Sequence, residues 1–259
     1  TGILIMSALF FFFMIKKILV SQQQPKVATP YEVISEKFGV KFDFIPFFLI
    51  EPVSSREFRA QRINILDYSA IVFSARSTID AFFHLCEELR VKIPETMKYF
   101  CTTEAVAMYL QKHIVYRKRK IFFGDGTPSS IISLIGPKHK GDRFLITTSD
   151  SINNDITKAF EVSGLDFTSA IFVKSVSQDL KTVDIDSYDM FVLYNKADVK
   201  SLFENFPDFK QGDKKFVSYG KSVMKPMEEA GLEIAISAPS VEAPSVAKAV
   251  EIYLEKNNR

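Results

Sequence analysis

The chain of 259 residues contains no tryptophan, ten glycines, three histidines and only two cysteines, and these shortages narrow the chemistry open to it. Cys86 and Cys101 form no CxxC pair, and nowhere do histidine and cysteine cluster with the spacing of metal ligands. The sequence therefore predicts neither a disulfide framework nor a metal site. Two isolated cysteines suit a reducing compartment, so we expect a cytoplasmic protein.

Glycine is too sparse for a phosphate-binding loop. The stretch FFGDGTP, residues 122–128, matches neither the GxxxxGK[ST] pattern nor the GxGxxG pattern of nucleotide-binding proteins. No nucleotide is indicated, and we expect the protein to work without a cofactor.

An excess of charge of either sign is also missing, because the formal net charge is only +2. A dedicated nucleic-acid-binding protein carries a much larger positive excess. The basic run YRKRK, residues 116–120, is typical of a solvated loop beside a strand, with a functional patch as the alternative. We expect no nucleic-acid partner.

The hydrophobic run at the N-terminus, residues 3–15, is broken only by Ser7. It is shorter than the about 20 apolar residues that span a membrane, and it lacks the basic region and cleavage site of a signal peptide. From Met14 onward the sequence MIKKILV resembles a natural protein start. We therefore interpret residues 1–13 as a dispensable upstream extension and expect no membrane partner; a membrane anchor is the alternative.

The rest of the chain repeats a succession of apolar run, small polar turn and amphipathic helix. Ile71, Val72 and Phe73 are typical of a strand buried on both faces, and Ile79 and Phe82 follow at helical spacing. About ten such strands alternate with helices, which predicts parallel sheets covered on both faces. The predicted fold class is α/β.

Weak internal similarity predicts two similar α/β domains. FSARSTIDAFF aligns with LYNKADVKSLF about 120 residues later, and two further pairs align at similar offsets. The extended runs 42–50 and 170–177 are interpreted as linker strands, because the proline within the first disfavours a central sheet position. One domain then contains residues 14–45 and 178–259, and the other contains 50–169. A TIM barrel does not easily accommodate the two extended runs.

Candidate binding residues lie in the turns after strands. In an open parallel sheet, ligands bind outside the carboxyl ends of the strands, where helix N-termini offer N–H groups to anions. These turns are rich in hydroxyls, amides and cations, and they indicate no catalytic acid–base pair. Helix capping is the alternative role for the serine, threonine and asparagine residues, but it does not explain the cations. The candidates are Ser74, Ala75, Arg76, Thr102, Thr103, Thr148, Ser149, Asn195, Lys196, Ala197, Gly220, Lys221 and Ser222.

The order and spacing of these motifs resemble the uroporphyrinogen-III synthase family over nearly all of residues 14–259. The stretches that carry the resemblance are IVFSARSTIDAFF, FCTTEAVAMYL, AIFVKSV, FVLYNKADVKSLF, VSYGKSVMKPMEEAGL and APSVEAPSVAKAV. The resemblance implies two flavodoxin-like parallel-sheet domains joined by a two-stranded β linker.

The resemblance also implies a reaction and a partner. In this family the linear tetrapyrrole hydroxymethylbilane loses its terminal hydroxyl, ring D inverts through a spiro intermediate, and the macrocycle closes to uroporphyrinogen III. The substrate bears eight carboxylates, which suits a cleft of hydroxyls, N–H groups and cations acting mainly by positioning. We expect a monomer.

Several motif residues depart from the family pattern. Val173 stands where the family usually has tyrosine, Cys101 where it has glycine, and Glu104 where it has threonine, while the turns 195–198 and 221–223 also differ. The missing tyrosine and the two altered turns favour, as an alternative, a non-catalytic tetrapyrrole-binding or regulatory paralogue. A periplasmic-type protein that binds small anions shares the two-domain cleft, but it needs a signal peptide that residues 1–13 do not provide.

Overall fold

The computed structural model describes residues 14–151 and 155–258, so the interpretation of residues 1–13 lies outside the described residues. The described chain forms two compact units. Unit one contains residues 14–49 and 177–258, and unit two contains the described residues between 50 and 176. The chain therefore passes from unit one into unit two and returns.

Strands and helices alternate along the described chain. The strands are β1 (Lys17–Val20), β2 (Lys41–Phe44), β3 (Phe48–Pro52), β4 (Ala70–Phe73), β5 (Lys98–Cys101), β6 (Ile121–Phe123), β7 (Arg143–Ser149), β8 (Asp166–Ser177), β9 (Met190–Leu193), β10 (Lys215–Tyr219) and β11 (Ile234–Ala238). The helices are α1 (Thr29–Phe38), α2 (Ser55–Ala60), α3 (Arg76–Glu88), α4 (Glu104–Tyr109), α5 (Pro128–His139), α6 (Asp155–Val162), α7 (Lys196–Asn205), α8 (Met224–Glu229) and α9 (Val246–Asn257).

Local sequence explains where several of these helices begin and end. Pro30 lies in the first turn of α1, where its missing N–H costs no hydrogen bond, and Gly39 ends that helix in the left-handed conformation. The side chains of Ser54, Thr127 and Ser245 cap α2, α5 and α9 by accepting from a backbone N–H of the first turn. Each helix start is thus fixed close to the end of the preceding turn.

The sheet of unit one has five parallel strands in the order β2-β1-β9-β10-β11. Counted along the unit this is the order 2-1-3-4-5, which is the flavodoxin-like arrangement. Ile18, Leu19 and Val20 of β1 are almost fully buried, because both faces of the sheet are covered. The order of strands reverses between β1 and β9, and this reversal is the topological switch point of the unit.

The sheet of unit two has six strands in the order β3-β8-β7-β4-β5-β6, and the five from β8 to β6 are parallel. Those five repeat the order of unit one, with β7 in the place of β1 and β4 in the place of β9. The two sheets therefore share one spatial order, although the chain enters them at different strands. The predicted α/β class with two flavodoxin-like sheets is confirmed, and the similar stretches of sequence form β4–α3 and β9–α7 at equivalent positions.

The first extended run, residues 42–50, is two strands rather than one. Pro46 has no N–H with which to continue a ladder, so β2 ends before it and β3 begins after it. β2 belongs to the sheet of unit one, whereas β3 lies beside β8 in unit two. The second run, 170–177, is the C-terminal part of β8, so only the part of the first run that lies in β3, residues 48–50, belongs to a strand beside it.

Two strands end with residues at the candidate edge. Cys101 is the last residue of β5. Thr148 and Ser149 lie within β7, because the parallel register with β8 continues to the pair Ser149 and Val173. The polar residues at this edge are thus strand residues with fixed directions, and the predicted turn starts two residues later.

Phenylalanine, of which the chain has 25, fills the cores on both faces of the sheets. In unit one the rings of Phe191 and Phe216 stack with their centres 5.0 Å apart. In unit two Phe82 packs on Phe172 on one face, and Phe100 packs on Phe144 on the other. These large rings anchor the strands and so fix the positions of the turns at the carboxyl ends.

Candidate functional site

One buried carboxylate joins the carboxyl ends of β1 and β9 at the switch point of unit one. Asp198, in the first turn of α7, is fully buried. Its Oδ2 accepts hydrogen bonds from the Ser21 hydroxyl at 2.9 Å, the Tyr194 N–H at 2.8 Å and the Asn195 N–H at 3.2 Å. The loop after β1 and the turn after β9 are therefore held to a single oxygen atom.

The surroundings of Asp198 disfavour its ionised form. Its Oδ1 is buried and has no hydrogen-bond partner among the described residues. Burial raises the pKa of Asp198 to about 6, and the three hydrogen bonds to Oδ2 only partly offset that effect. Sequence reasoning missed this residue, although the spacing Asn195-x-x-Asp198 of a capping box is a signal that could have found it.

The turn of residues 195–197 forms the N-terminus of α7. Asn195 is the N-cap, and its side-chain oxygen accepts from the N–H of Ala197 at 2.9 Å and of Asp198 at 3.3 Å. The Asn195 amide oxygen is therefore used by the helix, and Ala197 is buried. Lys196 is exposed and has no ion pair or hydrogen bond from its side chain within the described part of the chain.

The turn after β10 depends on a glycine. Gly220 has a φ of 96°, which L side chains rarely adopt, and its N–H donates to the Ala238 carbonyl at 2.7 Å. Lys221 and Ser222 follow in a short 3-10 turn with exposed side chains. Because β9 and β10 are adjacent, Lys221 and Lys196 stand at the same edge of one sheet.

In unit two the corresponding edge carries Arg76 beside a tyrosine that the sequence does not single out. Ser74 and Ala75 follow β4, and Arg76 begins α3, which has no side-chain cap. The Arg76 guanidinium lies 5.4 Å from the centre of the Tyr109 ring, a cation–π distance. The Tyr109 hydroxyl donates to Asp80 at 2.6 Å. Arg76 thus meets the face of a ring that a carboxylate holds in place.

Asp80 is the centre of that cluster. Its Oδ1 lies 2.7 Å from His113 Nε2 and 3.2 Å from the Lys112 ammonium. Burial opposes ionisation of Asp80, but the hydrogen bonds from Tyr109, His113 and Lys112 outweigh it and lower the pKa of this carboxyl. Asp80 therefore remains charged at neutral pH and orients the phenol.

The two threonines after β5 serve the fold. The N–H of Thr102, a buried residue, donates to the Phe73 carbonyl at 3.0 Å, and its carbonyl accepts from the Gly126 N–H at 2.8 Å. The Thr103 hydroxyl caps α4 by accepting from the Val106 N–H at 3.3 Å. Thr102 joins the ends of β4 and β5 to the turn after β6.

The polar residues at the end of β7 are also engaged. The Thr148 hydroxyl donates to the Ala170 carbonyl at 3.0 Å, and the Ser149 hydroxyl donates to the Ser151 carbonyl at 3.0 Å. Val173, the position where the resemblance places tyrosine, pairs in register with Ser149 and is buried. Position 173 therefore lies at the candidate edge but directs an apolar side chain into the core of unit two.

The turn after β6 is closed by its own side chains. Asp125 Oδ1 accepts from the Thr127 N–H at 2.9 Å and from the Thr127 hydroxyl at 2.6 Å, and the Ser130 hydroxyl accepts from the Asp125 N–H at 3.1 Å. Hydrogen bonds from Thr127, with a smaller contribution from Ser130, lower the pKa of Asp125. The turn is compact because these groups satisfy one another.

We expect Gly124→Ala to destabilise the protein by about 1–3 kcal/mol, the usual cost of an overpacked site. A β-carbon at Gly124 would collide with the Ser130 hydroxyl that closes the turn. Urea unfolding measures the change. Gly141→Ala is the matched control, because no described atom other than those of its chain neighbours lies within 4 Å of its β-carbon position. Equal unfolding midpoints for the two variants would show that the Ser130 side chain moves aside without loss of stability.

The three candidate cations share one property. Within residues 14–151 and 155–258, no carboxylate forms an ion pair with Arg76, Lys196 or Lys221. Most of the candidate hydroxyl and amide groups, by contrast, are used inside the fold. The described residues hold no group of three or more histidine, cysteine or acidic side chains suited to a metal, and none of their helices is long and apolar enough to cross a membrane. Each edge by itself, with Lys196 and Lys221 in unit one and Arg76 in unit two, is suited to binding anions.

A family profile described as uroporphyrinogen-III synthase HemD matches residues 30–248, which is most of the chain. The chain belongs to the uroporphyrinogen-III synthase family. Two solved structures of the family share its fold. The uroporphyrinogen-III synthetase of Helicobacter pylori is 14% identical, with a TM-score of 0.55 over 93% of this chain and 99% of that chain.

The second structure is a mutant uroporphyrinogen III synthase of the extremely thermophilic bacterium Thermus thermophilus. It is 13% identical, with a TM-score of 0.50 over 94% of this chain and 98% of that chain. At such identities the similarity supports the fold alone. A comparison with curated proteins found no match. This member of the uroporphyrinogen-III synthase family is therefore a divergent one.

Proposed function

We propose that this protein converts hydroxymethylbilane to uroporphyrinogen III by inverting ring D and closing the macrocycle. The observation that carries the proposal is the family match over residues 30–248. The chemistry of the candidate edges supports it, because the unpaired cations Arg76, Lys196 and Lys221 suit a substrate with eight carboxylates. Cleavage and ring closure need a folded substrate more than a strong acid or base, so positioning supplies most of the rate effect.

The chain's own groups have distinct tasks in this proposal. The cations bind propionate and acetate side chains through charge-assisted hydrogen bonds. The first N–H groups of α3 add donors, because no side chain caps this helix. Asp198 holds the turn that carries Lys196, and Asp80 holds the Tyr109 ring beneath Arg76.

The test is the identity of the product isomer. We expect the purified protein to convert hydroxymethylbilane to uroporphyrinogen III, as seen by chromatography of the oxidised porphyrins. Closure without inversion keeps all four rings in the same orientation and gives the symmetrical isomer instead. Heat-denatured protein is the control. The symmetrical isomer alone, formed at the rate seen in the control, would contradict the synthase activity.

A non-catalytic tetrapyrrole-binding or regulatory paralogue is the second candidate. Val173 favours it, since this position carries no phenol and is buried in the core of unit two. The two candidates differ in one outcome. A paralogue binds uroporphyrinogen III without producing it, whereas a synthase does both.

We further propose that the protein acts in the cytoplasm as a monomer. Cys86 and Cys101 are free and buried, and burial raises the pKa of each thiol to about 12. Such thiols remain protonated and unreactive, which suits a reducing compartment. Light scattering coupled to gel filtration measures the mass, and a dimer mass would contradict the monomer.

A further inference from the structure

A cavity lies at the opposite edge of the unit-two sheet from the turns described above. It has a volume of about 220 Å³ and is found where β5 and β6 begin, at Met97 and Tyr99 and at Lys120 and Ile121. The Tyr99 N–H donates to the Lys120 carbonyl at 2.7 Å and fixes the two strand ends beside it. Its contents would not compete with a ligand bound at the carboxyl ends.

The walls of this cavity are mainly apolar. Met97 and Ile121 are buried, and Ile93 and Ile114 pack partly exposed against the same core. The volume corresponds to about seven water molecules at roughly 30 Å³ each. Water gains few hydrogen bonds along such walls, so an apolar body of the size of a phenyl ring displaces it favourably.

A single phenol contributes an unused donor. Tyr99 lines the cavity and is only 4% exposed, and its ring centre lies 6.2 Å from that of Phe73. Its hydroxyl forms no hydrogen bond with any residue that the structure describes. Burial raises the pKa of Tyr99, so the hydroxyl is a neutral donor at physiological pH. Among the described residues the hydroxyl is not a fully enclosed polar atom without a partner, so it reaches solvent, and an acceptor on a ligand can take the place of water there.

Two cations border the same space. Lys120 is half-buried, and its ammonium has no ion pair with a described residue. Arg117 Nη1 lies 3.6 Å from Glu95 Oε2, and both side chains are mostly exposed. An exposed pair of this kind is weak, so Arg117 can exchange Glu95 for a ligand. Glu95 also lines the cavity, so its polar side combines two cations with one carboxylate and favours an anion by a single net positive charge.

We propose that this cavity binds a small amphipathic anion, a carboxylate on a phenyl or branched aliphatic body. The body fills the space between Met97 and Ile114, while the carboxylate accepts from the Tyr99 hydroxyl and pairs with Lys120. One ligand reaches both groups, because they line a single cavity of about 220 Å³. A nucleotide or a tetrapyrrole is too large and too highly charged for this space.

The test uses 3-phenylpropionate as the probe and the δ1-methyl signals of Ile93, Ile114 and Ile121 as the NMR readout. We expect saturable shifts of these methyl signals in the full-length protein. Tyr99→Phe and Lys120→Gln should each raise the dissociation constant at least about threefold, as the loss of one hydrogen bond or ion pair predicts. The neutral 3-phenylpropanamide should bind at least about tenfold more weakly than the acid.

Lys118→Gln is the matched control, because Lys118 is exposed in the same loop and does not line the cavity. It should leave the dissociation constant unchanged. The proposal is overturned if the wild type shows no saturable shift, if acid and amide bind equally, or if Lys118→Gln weakens binding as much as Lys120→Gln. Each readout is binding alone, so it is independent of the proposed synthase activity.

Discussion

Asp198→Asn is expected to gain stability relative to the wild type by roughly 2–3 kcal/mol as the pH rises from 4 to 8. The folded pKa of Asp198 is about 6, against 3.8 for an unperturbed group. The contribution of this carboxyl to the stability of the folded state is therefore fully present below pH 3.8, and it is lost as the pH rises through 6. Asparagine keeps the shape and carries no charge, so the variant lacks this particular loss of stability.

Urea unfolding at several pH values between 4 and 8 measures this difference. Replacing the carboxyl by an amide also changes the hydrogen bonds to Ser21 and Tyr194, which adds an offset common to every pH. The slope with pH is therefore the decisive quantity. Asp208→Asn is the matched control, because Asp208 is exposed in the same unit. If the free energy of unfolding of Asp198→Asn depends on pH in the same way as that of the wild type, burial does not destabilise the ionised form of Asp198.

Much of the fold follows from patterns that are local in the sequence. The run Ile71 to Phe73 followed by Ile79 and Phe82 predicts β4 and α3. A strand buried on two faces produces a continuous apolar run, and a helix produces apolar residues at helical spacing. The order of the strands in the sheet produces no such local pattern in the sequence. The permuted relation between the two sheets is a property of strand order alone, in which β7 occupies the place of β1.

Some features of the candidate site could likewise be predicted from local sequence, and others could not. The exposed cations could be proposed from the turns alone, whereas the use of Thr103, Thr148 and Asn195 in local hydrogen bonds required the structure. The spacing Asn195-x-x-Asp198 could have indicated Asp198 as a helix-cap residue, but its hydrogen bond to Ser21, which is 177 residues away in the sequence, required the structure. Contacts across such distances arise from sheet order, which short motifs do not encode.

The triple variant Arg76→Ala, Lys196→Ala, Lys221→Ala is expected to bind uroporphyrinogen III at least about tenfold more weakly than the wild type. Exposed ion pairs contribute only about 0–1 kcal/mol each, but partly desolvated hydrogen bonds between charged groups contribute about 1.5–3 kcal/mol. A loss of about 1.4 kcal/mol in total already gives the tenfold change. Because salt screens the same charges, wild-type binding should also weaken as salt is added, and more steeply than that of the variant.

Titration of uroporphyrinogen III, or of its oxidised porphyrin, into the wild type and the triple variant measures their affinities. A control variant with the same change in net charge is titrated in the same way. The control is Arg56→Ala, Lys200→Ala, Lys225→Ala. Arg56 is exposed on α2, and the two lysines lie four residues after Lys196 and Lys221, where they pair with glutamates at 3.6 and 3.7 Å. Equal losses in both variants would mean that net charge, not the position at the strand ends, governs binding. Equal affinities of wild type and site variant, without salt dependence, would exclude tetrapyrrole binding at these turns in both its catalytic and its non-catalytic form.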